Sequence, residues 1–176
     1  MPEPQQIGSP LWESSLEKEI RTVMEKGVSL EERKAQVRPI ELEFRKKTSA
    51  PRARNLAALC YLKTLGTPFS PFDLAEIALV ETGGHRLSSK ATSQMGALGV
   101  WQLMPVMARH HGYTPDEMRD DEKCAEAAVK TLAQKLDRAD GDLEQAKRLY
   151  CGTGRQADAY LKKIKETHTI LAAHLK

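Results

Sequence analysis

An all-α fold is what this sequence predicts, on two main observations. Apolar residues recur three and four positions apart along almost its whole length, and glycine, proline, serine and threonine stand between the periodic segments. No stretch reads convincingly as a strand, so at most a minimal β element is expected. With 176 residues, 40% of them hydrophobic and 29% charged, the chain suits one well-packed domain carrying a helical extension.

Trp12, Leu16, Ile20 and Val23 form the first stripe, which stops at Gly27. Ser29 and Glu32 have the spacing of a capping box, in which hydroxyl and carboxylate answer the amides that a helix start leaves unpaired, so a second helix begins there. It carries the charged run LEERKAQVRPIELEFRKK. Pro39 is expected to kink or divide it, because proline lacks the N–H the ladder needs, and most of its face is expected to be solvated. Pro51 opens a third helix with Leu56, Leu59, Cys60 and Leu62 buried and its end at Gly66. Residues 1–66 are therefore expected to be the N-terminal helical extension, and residues 67–176 the main domain.

Ser70-Pro71-Phe72-Asp73 is a strong helix start, with serine as N-cap, proline in the first turn and aspartate at the positive end of the dipole. This helix runs to about Glu81. Further helices are expected at 105–111, 121–138, 142–151 and 155–174, with Thr114 to Glu117 as another cap.

Charge and cysteine content exclude several classes. The 27 lysines and arginines are offset by 24 acidic residues spread along the chain, for a net charge of +3, so no basic face on the scale of nucleic-acid binding is required. A mildly basic balance suits an anionic polymer. Cys60, Cys124 and Cys151 contain no CxxC and signal neither a disulfide framework nor a zinc site. His85, His110 and His111 belong to no HExxH or Cys/His cluster, and neither metal nor cofactor is expected. There is no apolar run of membrane-spanning length. The opening MPEPQQIGSPLWESS lacks the pattern of a secretory signal, so work outside the cytoplasm would need a removed signal or another export route.

One carboxylate stands on the wrong face. Leu74, Ile77, Ala78 and Glu81 fall at i, i+3, i+4 and i+7, which puts Glu81 on the stripe that must be buried, in the last turn, where the dipole is negative. Burial and dipole both disfavour the ionised form and raise its pKa. An acid still protonated near neutral pH can donate to a leaving oxygen, as glycosidic cleavage requires; the alternative is a helix-end glutamate that snorkels to water. Gly83-Gly84 are expected to break the helix beside it, and Gly96 and Gly99 to let backbone approach a ligand closely.

These residues resemble the signature of the SLT-type lytic transglycosylases, relatives of goose-type lysozyme. The stretch reads V-E-T at 80–82, then S-Q-M-G-A-L-G-V-W-Q-L-M-P at 93–105. DDEKCAEAA at 120–128 is similar to that family's Asp-Pro-x-x-Asn helix start, and GDLEQAKRLYCGTGRQADAYL to its Ala-Ala-Tyr-Asn-Ala-Gly…Tyr segment. The resemblance spans about 70–165 and implies a lysozyme-like helical domain. It implies Glu81 as the single catalytic acid, Ser93, Gln102 and Met104 along the sugar cleft, and Tyr150 as a tyrosine reaching that acid. Structural alternatives stand beside these roles: Met104 as core, Ser93 as a turn former, Tyr150 as packing on the stripe Leu143, Ala146, Tyr150.

The chain departs from the pattern in three places. The loop from Glu81 to Ser93 is longer than the common form and holds His85 and Arg86. Two family asparagines are Cys124 and Cys151, and Tyr-Asn-Ala-Gly has become Tyr-Cys-Gly-Thr-Gly. Either a sugar-amide hydrogen bond is missing or the two cysteines pair, which spacing does not decide.

The resemblance implies cleavage of the MurNAc-GlcNAc β-1,4 bond of peptidoglycan with a 1,6-anhydromuramyl product, the substrate's own acetamide standing in for a second carboxylate. Muramidase-type hydrolysis and a non-catalytic peptidoglycan-binding scaffold are the alternatives. The implied partner is the peptidoglycan glycan strand, not nucleic acid, with the N-terminal helices as a face for a protein partner. The implied location is the cell envelope or periplasm, or a phage lysis or virion protein.

Overall fold

The computed structural model describes residues 14–25 and 27–176. Among them the fold is all-α, with eight helices: α1 (Ser15–Glu25), α2 (Leu30–Arg45), α3 (Ala50–Thr64), α4 (Pro71–Thr82), α5 (Pro105–His110), α6 (Asp121–Arg138), α7 (Leu143–Cys151) and α8 (Arg155–Ala173). The β content is two isolated bridges, Thr92 to Leu98 and Leu98 to Leu103.

The caps follow the local chemistry. Ser29 accepts from the Glu32 amide while Glu32 accepts from the Ser29 amide, and Ser70 and Asp73 make the same reciprocal pair at the start of α4. Asp120 and Asp142 accept from the Lys123 and Gln145 amides at the starts of α6 and α7.

Pro39 does not divide α2. It is buried inside the continuous helix, and Ile40 and Phe44 just beyond it are fully buried. Burying two such side chains contributes about 3–6 kcal/mol, enough to offset the ~3 kcal/mol of an interior proline. The buried face of α2 consists of Arg33, Pro39, Ile40, Glu43 and Phe44, and the rest of the helix is exposed or partly so. In α3, Leu56 and Cys60 are buried as expected, but Leu62 is 54% exposed; two residues beyond Cys60, it projects from the opposite face. On α1, Leu16 and Ile20 are exposed. Trp12 and the side chain of Val23 lie outside the described residues.

Helices α2, α3, α4, α6, α7 and α8 contribute to one core around Phe44, Leu56, Phe72, Leu74, Ile77, Trp101 and Leu132. Polar links hold its edges. The buried Arg33 guanidinium donates to the carbonyls of Val28, Thr64, Thr67 and Phe69 at 2.7–3.1 Å, tying α2 to the turn before α4. Lys147 of α7 reaches Asp73 at 2.5 Å and Glu76 at 2.8 Å on α4, and His168 of α8 reaches the other Glu76 oxygen at 2.5 Å. Burial alone would lower the Lys147 pKa, but the two facing carboxylates outweigh it and raise the value, so the ammonium stays charged. The helix that carries Glu81 is thus pinned near its start by α7 and α8.

Candidate functional site

Glu81 occupies the last full turn of α4, half-buried, above Leu74, Ile77 and Ala78, which are 0–1% exposed. Burial pushes its pKa up to about 7, opposed by the Tyr160 hydroxyl, which favours the carboxylate. Tyr160 comes from α8 and is 7% exposed. Its oxygen sits close enough to Glu81 to act on its ionisation, yet completes no full hydrogen bond with any described protein group. A buried phenol without a partner, turned toward a protonatable acid, is a donor held ready for that acid or for a ligand on it.

The loop after α4 is held by α4 itself. Thr82 donates to the Val100 carbonyl at 2.7 Å, and the fully buried Trp101 donates its indole N–H to the Leu74 carbonyl at 2.9 Å. Leu98 and Leu103 exchange two backbone bonds of 2.9 Å, closing a tight turn in which Gln102 takes a left-handed φ of 53°. Such a conformation costs a non-glycine residue about 1–3 kcal/mol and persists only where surroundings hold it. Here the Gln102 side-chain nitrogen donates to the Gly99 and Ala91 carbonyls at 2.8 and 3.2 Å.

The glycines play other parts than expected. Gly83 and Gly84 do not stop the chain abruptly, because a 3₁₀ turn continues through Gly83–His85, and the left-handed residues are Arg86 and Leu87, at φ 60° and 53°. Leu87 is fully buried, and its carbonyl accepts from the Arg52 guanidinium of α3, which also forks onto Asp121 of α6 at 2.6 and 3.1 Å. Gly99, at φ 80°, approaches protein and not ligand: a Cβ there would stand 2.1 Å from the Met118 carbonyl oxygen and 2.9 Å from the Cys124 sulfur.

Two hollows flank this turn and share Gln102. One, about 420 Å³, is lined by Glu81, His85, Ser88, Lys90, Ala91, Thr92, Ser93 and Gln102. The other, about 220 Å³, is lined mainly by α5, α6 and α7, including Met104, Val106, Lys135, Tyr150 and Cys151. Of the five residues expected at the site, Glu81, Ser93 and Gln102 line the first hollow, and Gln102, Met104 and Tyr150 line the second. Glu81 is the only carboxylate among the residues lining either hollow. Two slightly larger hollows, about 470 and 460 Å³, run along α8, and Glu81 lines neither.

Individual roles differ. The Ser93 hydroxyl accepts from the Ala97 amide at 3.0 Å, so it forms the turn as well as lining the cleft. Met104 is 39% exposed and not core. Tyr150 donates its hydroxyl to the Trp101 carbonyl at 2.7 Å, and Tyr160 is the phenol that acts on Glu81. Tyr160 was missed because it falls on the buried stripe Ala157, Tyr160, Ile164, Leu171 and reads as core; a phenol oxygen on such a stripe was the available signal. All three cysteines are free: Cys60 and Cys124 are buried, whereas Cys151 is exposed at the cleft. Cys124 lies beneath the Gly99 turn, where burial raises its pKa to about 12. Asp116, Glu117, Asp120 and Asp121 line neither hollow; Glu117 and Asp120 cap backbone amides, and Asp121 pairs with Arg52.

Among the described residues no group of three or more His, Cys, Asp or Glu is placed to hold a metal ion, and no helix is long and apolar enough to cross a membrane. Comparison with known families matches residues 69–170 to the model of the transglycosylase SLT domain. Neither the curated proteins nor the solved structures gave a match.

Proposed function

The chain belongs to the transglycosylase SLT domain family, whose model covers more than half of it, and from that premise we propose that Glu81 cleaves the MurNAc-GlcNAc β-1,4 bond of peptidoglycan without adding water. Membership makes this a peptidoglycan-acting protein of lytic transglycosylase type, with an all-α lysozyme-like fold and action outside the cytoplasm. The catalytic residue, the product and the subsites are our reading.

The observation that carries it is a single cleft carboxyl whose pKa burial raises to about 7. With about half of the molecules protonated at neutral pH, Glu81 can donate its proton to the glycosidic oxygen as that bond breaks. No second carboxylate lines the cleft to act as nucleophile, so the muramyl 2-acetamido carbonyl closes on the anomeric carbon, forming an oxazolinium. Glu81, now ionised and steadied by the Tyr160 hydroxyl, takes the proton of the sugar's 6-hydroxyl. That oxygen attacks the anomeric carbon, the acetamide leaves, and a 1,6-anhydromuramyl end results. Ser93, Gln102, Met104 and Tyr150 are assigned to holding the strand; the Gln102 amide oxygen, free of described protein donors, is the acceptor toward a sugar hydroxyl or acetamide.

In the same reading residues 1–66 are an extension that braces residues 67–176. Arg52 fixes the carbonyl behind the cleft loop, and Lys63 reaches Glu122 and Glu126 of α6 at 2.8 Å. Exposed Leu16 and Ile20 on α1 are the face assigned to a protein partner. The cell envelope is the assigned workplace, a phage lysis or virion protein being the other origin this chemistry fits.

Clearing of purified peptidoglycan tests the assignment: Glu81→Gln is expected to lose at least about 100-fold in rate while retaining its fold and its binding to the polymer. Clearing by neither protein would favour the scaffold reading, and equal clearing by both would remove Glu81 as the acid.

A further inference from the structure

The two hollows that meet at Gln102 share a feature that glycosidic cleavage does not use. Each contains one lysine without a carboxylate partner among the described residues: Lys90 in the hollow that Glu81 and His85 also line, and Lys135 in the hollow that Tyr150 lines. Several other cations are paired, whereas Lys162, in a hollow along α8, also meets no carboxylate among the described residues. Arg52, Lys63, Lys123, Lys147, Arg148 and Lys165 each meet an acidic side chain at 2.5–2.9 Å.

Lys135 is half-buried, and burial lowers its pKa, with Arg138 adding repulsion and no acid compensating. Its position in the last turn of α6 complements the helix dipole, which accounts for a cation there but not for its placement in the wall of a hollow. Lys90 is exposed on a loop held by other groups: its amide donates to the Ser88 hydroxyl, and the loop's anchor is Arg52 on Leu87. Neither lysine is among the groups that shift Glu81, so neither serves to stabilise that carboxylate.

We propose that Lys90 and Lys135 are specificity-determining residues that bind the carboxylates carried by muramic acid residues on either side of the scissile bond. This rests on the reading of the cleft as a glycan-strand site. A strand of alternating muramic acid and glucosamine carries its negative charge on the muramyl units alone, from the lactyl carboxylate where the sugar is bare or from the stem peptide where it is substituted. An unpartnered ammonium in each hollow recognises that charge and discriminates against a neutral β-1,4 polymer of the same 2-acetamido sugar. Lys135, the more desolvated, contributes more, and Lys90, at the rim, contributes a smaller and more salt-sensitive share.

The test measures affinity in the Glu81→Gln protein, with product formation followed in parallel, for three soluble probes: peptide-bearing glycan strands, peptide-free glycan strands and chitohexaose. Lys90→Met and Lys135→Met keep the aliphatic stem and remove the charge. Each is expected to weaken binding to muramyl strands about 3–10-fold at low salt, to leave chitohexaose affinity unchanged, and to be rescued by Lys→Arg. Loss on peptide-free strands identifies the lactyl carboxylate as the ligand, and loss confined to peptide-bearing strands identifies the stem. Unchanged affinity for both muramyl probes, or an equal loss on chitohexaose, overturns the proposal. Continued cleavage by Glu81→Gln would instead remove the acid assignment, and first-time-point affinities would still decide the role of the lysines.

Discussion

The phenol of Tyr150 donates to the main-chain carbonyl of Trp101 at 2.7 Å, fastening the end of α7 to the turn that carries Gln102. Tyr150→Phe leaves that carbonyl short of a donor in a part-buried place, at a cost of about 1–2 kcal/mol. Urea denaturation should show this loss at unchanged slope. Affinity for glycan strands should fall with it, because the Gln102 turn loses one support. Unaltered stability would mean that water replaces the phenol freely.

Tyr160 acts on the acid itself. Its hydroxyl favours the Glu81 carboxylate and so holds the pKa below what burial alone would give. Glu81 is active as the protonated acid, so the rate falls as pH rises through about 7. Tyr160→Phe removes the opposing donor, raises the Glu81 pKa and moves this alkaline limb to higher pH. It also lowers the maximum rate, since the ionised Glu81 of the second step loses its donor. A limb that stays in place, or moves down, contradicts the assignment.

Gly99→Ala tests the close approach beneath the cleft. The added methyl would stand 2.1 Å from the Met118 oxygen, at a φ of 80°. Backbone must move, and a loss of about 3 kcal/mol or more is expected, read as a fall in thermal midpoint of several degrees. Gly96→Ala, whose Cβ would meet nothing within 4 Å, carries only the cost of its φ of 91° and should be milder.

The helix starts were legible because each depends on residues adjacent in the chain: Ser29 with Glu32, Ser70 with Asp73, and Asp120 with Lys123. What sequence could not carry was set by distant partners. Pro39 is tolerated because Ile40 and Phe44 are buried in the common core, and Leu62 is exposed because of how α3 is rotated. The five residues expected at the site are divided between two hollows that meet at Gln102, and the division between Tyr150 and Tyr160 depends on the approach of α8 to α4, as do Lys147 and His168 on Asp73 and Glu76. Gly99 was legible as a close approach, not as an approach to Met118, since that partner lies across the fold.

The central claim is that one buried acid, with the substrate's acetamide, cleaves the strand without water. Mass spectrometry of the muropeptides released from purified peptidoglycan measures this directly. The account predicts 1,6-anhydromuramyl ends, lighter by one water than reducing ends, from wild-type protein and essentially none from Glu81→Gln. Hydrated reducing ends from the wild type, or anhydro ends released at an undiminished rate by Glu81→Gln, would contradict it.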